Sequence, residues 1–351
     1  MSRRVLLTVS GVIPGDVEGQ VAAGVRPRPD YTVLAAEFGA VLLDFEGARR
    51  QSGRFGRIIE RLAGPKALLA WATFRSRRSY DTVVTDGEQI GLPFASLCRL
   101  TARKSPTHFM IVHVLSVRKK ILPWKLLRLG HYVDNLIVYA SAQRQFAIEE
   151  LHVAPERVVL TPFMVDTQFF TPAPADRSPR QMICSVGLER RDYHTLCAAV
   201  DGLDVDVVLA VGSHWSTQPD LITGRPLPPN VSVCTLDFVP LRALYAECLF
   251  VVMPLHETDF QAGVTTILEA MAMGKAVVCS ATTGQTDVLV EGRTGLYVPP
   301  GDPIALRAAI ERLLGDPGYA IELGRAAHAD AEERFDVVRY AQRLAARVLA
   351  Q

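Results

Sequence analysis

The sequence predicts an α/β protein built from two doubly wound, Rossmann-like domains. Short apolar runs of parallel-strand type alternate with helical segments along the chain. A proline-rich stretch, PFMVDTQFFTPAPADRSPR from Pro162 to Arg180, breaks that alternation near the middle. The length of 351 residues exceeds what one ordinary core fills.

The elements follow in order. In a first domain over residues 1–165, the expected strands are Val5 to Ser10, Thr32 to Ala36, Ala40 to Asp44, Thr82 to Thr85, Phe109 to Val114 and Leu136 to Tyr139, with helical segments such as Gly56 to Ala63 between them. Residues 166–180 read as linker, because their prolines continue neither helix nor sheet. A second domain over 181–335 restarts the pattern with Met182 to Val186, Val207 to Val211, Val231 to Leu236, Leu249 to Met253, Ala276 to Ser280 and Gly295 to Val298. Residues 336–351 have helical periodicity and are free to pack back on the N-terminal domain. In such a fold a ligand is expected between the carboxyl ends of the strands of two facing lobes.

Composition narrows the function classes. Hydrophobic residues make up 49% and charged residues 21%, which excludes a disordered or collagen-like chain. No run approaches the roughly eighteen apolar residues of a membrane span. The start MSRRVLLTVSGVIPG is basic then apolar, but Thr8 and Ser10 interrupt it and VIPGD reads as a strand exit, so a strand is expected there and no signal peptide. The six cysteines lack CxxC or Cys/His spacing and read as reduced, buried thiols of a cytoplasmic protein. Residues 1–150 carry 22 Lys+Arg against 13 Asp+Glu and the remainder 16 against 24, a basic half followed by an acidic one. A basic lobe favours anionic partners. GxGxxG after the first strand and GxxxxGK[ST] are both absent, which weakens dehydrogenase and NTPase readings.

The stretch DFQAGVTTILEAMAMGKAVV, Asp259 to Val278, carries the most chemistry. Val264, Ile267, Leu268 and Met271 form one apolar stripe and Gly274 ends the helix. Glu269 and Thr265, four apart, share a different face. The helix starts after Gly263, so its free amides and positive dipole end suit a phosphate. A carboxylate one to two turns in suits a sugar diol, accepting from two neighbouring hydroxyls.

From Leu236 to Leu314, the elements LYAECLFVVMP, ILEAMAMGK and EGRTGLYVPPGDPIAL occur together, in an order and spacing that resemble the donor-binding half of retaining GT-B glycosyltransferases, the class called glycosyl transferases group 1 (glycosyltransferase family 4-like). MIVHVLSVRKK (Met110 to Lys120) and TPFMVDTQFF extend the resemblance more loosely into the first half. The family carries two glutamates eight positions apart; the second matches Glu269, implied to hold the nucleotide ribose, and the first position is Gln261, implied to meet the donor sugar. Gly263, Val264 and Thr265 fall to the donor's phosphates. Arg190 and Arg191, in SVGLERRDYHTL, stand where family cations neutralise the diphosphate, and which of the two reaches it stays open. His113 matches a histidine at the donor sugar, with His108 a structural control.

The resemblance implies transfer of a sugar from a nucleotide-diphosphate donor to a hydroxyl acceptor, lipid-linked or a polysaccharide precursor. It implies a retaining, front-face mechanism in which the departing diphosphate accepts the acceptor's proton, with no cofactor and no metal. The DVD at Asp204 to Asp206 reads as an entering strand, not a metal motif. A nucleotide-sugar epimerase or hydrolase, and a catalytically silent nucleotide-sugar-binding protein with Gln261 in the glutamate position, stay open. Arg118 to Leu129, RKKILPWKLLRL, mixes basic and apolar residues and suggests peripheral attachment to an anionic membrane surface, the inner face for a cytoplasmic protein. Nucleic acid is not an expected partner, because Phe55, Trp71 and Phe74 among the arginines of residues 49–78 read as core positions.

Overall fold

The computed structural model describes residues 3–101, 106–172, 180–212 and 227–350. The chain divides into two compact units: Met1–Glu18 with Pro29–Thr161 and Val338–Gln351, and Gly19–Arg28 with Pro162–Val337. The described part of the proline-rich stretch thus falls in the second unit; residues 173–179 of it lie outside the described residues.

The first unit holds β1 (Val5–Thr8), β2 (Ala40–Leu43), β3 (Thr82–Thr85), β4 (Thr107–Ile111), β5 (Asn135–Val138) and β6 (Val158–Leu160). The second holds β7 (Met182–Val186), β8 (Asp206–Ala210), β9 (Val231–Cys234), β10 (Val251–Met253), β11 (Val277–Ser280) and β12 (Leu296–Val298). The helices are α1 (Val17–Ala22), α2 (Asp30–Phe38), α3 (Phe45–Ser76), α4 (Glu88–Leu100), α5 (Arg118–Leu126), α6 (Ser141–Glu149), α7 (Tyr193–Val200), α8 (Phe238–Glu247), α9 (Val264–Ala272), α10 (Pro303–Gly315), α11 (Pro317–Asp330) and α12 (Val337–Val348).

Both sheets are parallel, in the orders β2-β1-β3-β4-β5-β6 and β12-β11-β10-β7-β8-β9. Such strands are covered on both faces, which is why they read as continuous apolar runs: β3, β7 and β11 are buried throughout. Strand order reverses between β1 and β3 in one sheet and between β7 and β10 in the other. Successive connections leave in opposite directions at these points, opening a crevice at the carboxyl end of each sheet. Geometry therefore nominates the loops after β1 and β3, and those after β7 and β10.

Three expectations need correction. Thr32 to Ala36 is not a strand but lies within α2; Leu34 and Phe38, four apart, are its buried residues, and Gly39 ends it with φ 60°. That is helical spacing with a left-handed stop. In RKKILPWKLLRL, α5 stops at Leu126, Trp124 and Leu129 are buried, and Lys120 turns inward onto Glu88, while Lys119, Leu122, Lys125, Leu126 and Arg128 are exposed. Among Phe55, Trp71 and Phe74, only Phe74 is core; Phe55 stands 55% exposed.

His108 is a buried structural histidine, bonded to Thr85 Oγ1 and the Tyr132 carbonyl, each at 3.0 Å. Burial pulls its pKa down to about 4. All six cysteines are free thiols; Cys98, Cys184, Cys248 and Cys279 are buried as expected, whereas Cys197 and Cys234 are half-buried. In the first unit, α12 brings the Tyr340 hydroxyl to 3.0 Å from that of Tyr139.

Close backbone approach sets the position of α9. Helix α11 crosses its carboxyl end at Gly324, where an added Cβ would lie 2.2 Å from the Gly274 carbonyl oxygen. Gly324→Ala must push these helices apart. It should cost about 2 kcal/mol or more, read as a lower denaturant midpoint; an unchanged midpoint would show that the contact yields freely.

Candidate functional site in the second unit, with a histidine cluster in the first

In the second unit the loop after β7 is zipped to the loop after β10. The Asp192 amide donates to the Pro254 carbonyl at 3.0 Å and the His256 amide to the Arg190 carbonyl at 3.0 Å, an isolated antiparallel bridge between Arg191 and Leu255. This brings the two predicted arginines beside the helix that follows Gly263, and it separates their roles.

Arg191 is buried, 4% exposed. Its Nε donates to the Val186 carbonyl at 2.8 Å, Nη1 to the Glu189 carbonyl at 2.8 Å, and Nη2 to Thr266 Oγ1 at 3.4 Å on the first turn of α9. The guanidinium runs between two glycines with positive φ, Gly187 and Gly263; a Cβ on either would sit 2.5 Å or 3.0 Å from its Nη atoms. No carboxylate among the described residues forms an ion pair with Arg191. Burial lowers its pKa, yet a guanidinium keeps its charge. Arg190, by contrast, is exposed at φ 60° and rests its Nη2 on the Glu257 carbonyl at 3.3 Å.

Glu269 lies between one and two turns along α9 and is only 7% exposed. Its Oε2 accepts from the Tyr245 hydroxyl at 2.9 Å. Burial raises its pKa from 4.5 to about 7, against the lowering effects of the Tyr245 hydrogen bond and the Arg191 charge. Thr265, on the same face one turn earlier, is exposed, and it is Thr266 that meets Arg191. Val264 packs into the core, so only its backbone is offered at the helix start. Gln261 is half-buried with its Oε1 unpartnered among the described residues; so is Oε1 of Gln285, whose Nε2 pins the Ala262 carbonyl at 2.8 Å.

The helix end, a buried cation without an ion-pair partner among the described residues and a nearby carboxylate together suit an anion that carries hydroxyls beside it. Tyr245, Thr266 and Gln285 were not anticipated. Tyr245 sits in an apolar helical pattern and signals nothing by itself, whereas Gln285 inside TTGQTD was a readable polar residue after a buried strand.

In the first unit, His113 follows β4, with its Nε2 3.2 Å from Asp86 Oδ1. Partial desolvation works to lower the His113 pKa, but with the ring 48% exposed the bond and charge of Asp86, with the charges of Glu88 and Asp30, leave it raised. Asp86 follows β3 and also accepts from the Ser10 amide at 3.2 Å, after β1. Glu88 is 1% exposed; its Oε2 accepts the His113 amide at 2.9 Å and its Oε1 meets Lys120 Nζ at 2.6 Å. Asp30 completes the cluster, its pKa pushed up to about 6 by burial and by the Asp86 charge. TDGEQIG after a strand held the signal for Asp86 and Glu88. Asp30 could not be placed, because its segment was read as preceding a strand.

Two doubly wound units, each with its polar cluster at its own switch point, define a protein of the GT-B fold. Sucrose-phosphate synthase from Thermosynechococcus elongatus superposes with a TM-score of 0.71 at 19% identity, covering 97% of each chain. Anabaena HepE in complex with UDP-glucose gives 0.73 at 17% identity, covering 99% of each. Residues 185–316 match the family described as Glycosyl transferases group 1. Among its relatives, a D-inositol 3-phosphate glycosyltransferase of Acidothermus cellulolyticus is 26% identical over 225 residues, 56% of this chain and 49% of that protein. The D-rhamnosyltransferase WbpZ of Pseudomonas aeruginosa is 34% identical over 157 residues, 43% of this chain and 40% of that protein. The chain thus spans about half the length of the curated relatives it matches, or less.

The buried carboxyl sets a pH dependence. Its folded pKa lies above the unfolded value, so the protonated form is favoured by folding and that stability is lost as pH rises from 4.5 through about 7. Glu269→Gln keeps an acceptor for Tyr245 and removes the titration. Relative to the parent it should gain up to about 3 kcal/mol between pH 5 and pH 8, measured by urea unfolding at both; a pH-independent difference would refute the assignment.

Proposed function

We propose that this protein is a glycosyltransferase that moves a sugar from a nucleoside-diphosphate donor to a hydroxyl acceptor, with retention and without a metal. The observation that carries the reading is Arg191, a buried guanidinium with no carboxylate ion-pair partner among the described residues, beside the start of α9, with buried Glu269 between one and two turns along the helix. A diphosphate would supply the missing negative charge. The amides of the first turn and Arg191 would hold it, with Arg190 reaching over from the exposed side. As the glycosidic bond breaks, charge grows on the leaving phosphate, and a cation already fixed in a low-dielectric site stabilises it without reorganising.

Glu269 would accept hydrogen bonds from the ribose hydroxyls beside the one it takes from Tyr245. Gln261, an amide with a free acceptor oxygen, suits a sugar hydroxyl; being neutral, it cannot stabilise an oxocarbenium-like centre by charge. In a front-face transfer no protein nucleophile is required, so an amide there is compatible with activity. By the family resemblance, His113, held at 3.2 Å by Asp86, would contact a sugar hydroxyl. That HepE was solved with UDP-glucose, and that relatives are named glycosyltransferases, supports a nucleotide-sugar donor.

The experiment is a titration of nucleoside diphosphates and their sugars followed by thermal shift, then turnover with and without acceptor. Glu269→Ala should weaken nucleoside-diphosphate binding at least about tenfold and Arg191→Ala more, since a desolvated charge pair is lost. Equal affinity in Glu269→Ala would remove the ribose assignment. Release of sugar without any acceptor would instead favour a hydrolase, and binding without turnover a silent binding protein, the alternative that Gln261 keeps in play.

A further inference from the structure

We infer that the middle of α3 is a docking surface for an anionic lipid bilayer. The helix is interrupted at Gly53 (φ 56°, ψ −143°) and at Gly64 (φ 84°, ψ 172°), which isolates residues 54–63 as a short helical segment. Three large apolar side chains on it face water: Phe55 at 55% exposure, Ile58 at 55% and Leu62 at 81%.

Their spacing is not accidental to the fold. At about 100° per residue, Phe55, Ile58 and Leu62 fall in one lane and Arg54, Arg57 and Arg61 in the lane beside it. The arginines are exposed as well. The opposite face is anchored: Gly56 is buried, where a Cβ would lie 3.0 Å from Leu68 Cδ1, and Ile59 packs against the core beneath. The segment therefore cannot roll to hide its apolar lane. Phe55 leans on Trp71, with ring centroids 5.4 Å apart.

Charge selects the partner. From Arg49 to Lys66 the chain carries Arg49, Arg50, Arg54, Arg57, Arg61 and Lys66 against one acid, Glu60. Glu60 is held by Arg49, with Nη2 to Oε1 at 2.6 Å. An apolar lane alone would suit another protein; an apolar lane walled by arginines suits an interface where acyl chains lie beneath anionic headgroups. The sequence pattern at Arg118 to Leu129 also points to a bilayer, and it exposes two leucines, Leu122 and Leu126, beside Lys119, Lys125 and Arg128. The stronger lane is on α3, whose Phe55 the sequence assigned to the core. This inference does not depend on glycosyl transfer.

The test is co-sedimentation of the full chain with phosphatidylcholine vesicles, with and without phosphatidylglycerol. The parent should bind the anionic vesicles, lose binding as salt rises, and ignore neutral ones. Arg54→Glu/Arg57→Glu/Arg61→Glu should lower partitioning roughly a hundredfold or more, and Phe55→Ser/Ile58→Ser/Leu62→Ser more than about tenfold. All six side chains are exposed, so an unchanged thermal midpoint certifies the fold of each variant. Parental binding by both variants, or no preference of the parent for anionic vesicles, overturns the inference. Conversion of a parental dimer to monomer by the apolar-lane variant also overturns it, by assigning the lane to a second copy of the chain.

Discussion

The second unit is organised around one buried guanidinium. Arg191 ties the tip of β7 to the first turn of α9, and it passes there only because Gly187 and Gly263 lack side chains. A charge so enclosed is costly to hold without a counter-ion, and carbonyl and hydroxyl partners repay only part of that cost. The neighbouring features follow from it. The positive φ of Gly263 turns the chain into α9, and Glu269, between one and two turns along, is kept from a fully raised pKa partly by the Arg191 charge. The unit thus keeps a cation and a reluctant carboxylate out of water without pairing them directly.

The first unit solves a different problem with similar parts. Its sheet reverses order between β1 and β3, and the acids gathered at the carboxyl ends, Asp30, Asp86 and Glu88, share one histidine and one lysine. Glu88 is saturated by amides and Lys120 and so acts as a staple for the loop that carries His113. Asp86 faces the imidazole directly and biases it toward the charged form. The contrast between His113 and His108 is instructive: the same residue type at two ends of one strand is raised in one place and pulled to about 4 in the other, according to whether a carboxylate or a wall of Phe94 and backbone faces the ring.

Much of this was legible in the chain itself. Alternating runs read correctly as parallel strands because strands covered on both faces must be apolar at every position. The helix after Gly263 was readable from its apolar stripe and its glycine boundaries. Misreadings came where a local pattern was short: TVLAA looks like a strand until Phe38 is counted with Leu34. Phe55 looked like core because an aromatic residue among arginines is usually placed by its own hydrophobicity, and nothing local says which face of a kinked helix the fold will cover.

By itself, then, the sequence determined the fold class, the likeness of its second half to a known family and the candidate residues from His113 to Glu269, since periodicity, glycine stops and motif spacing are properties of neighbours along the chain. Only tertiary structure decided which of two adjacent arginines is buried, that Tyr245 meets Glu269, and that Thr266 rather than Thr265 faces the cation. Those outcomes depend on backbone segments far apart in sequence coming within a few ångströms, and burial, which sets the charge state of each group, belongs to that approach and not to any residue alone.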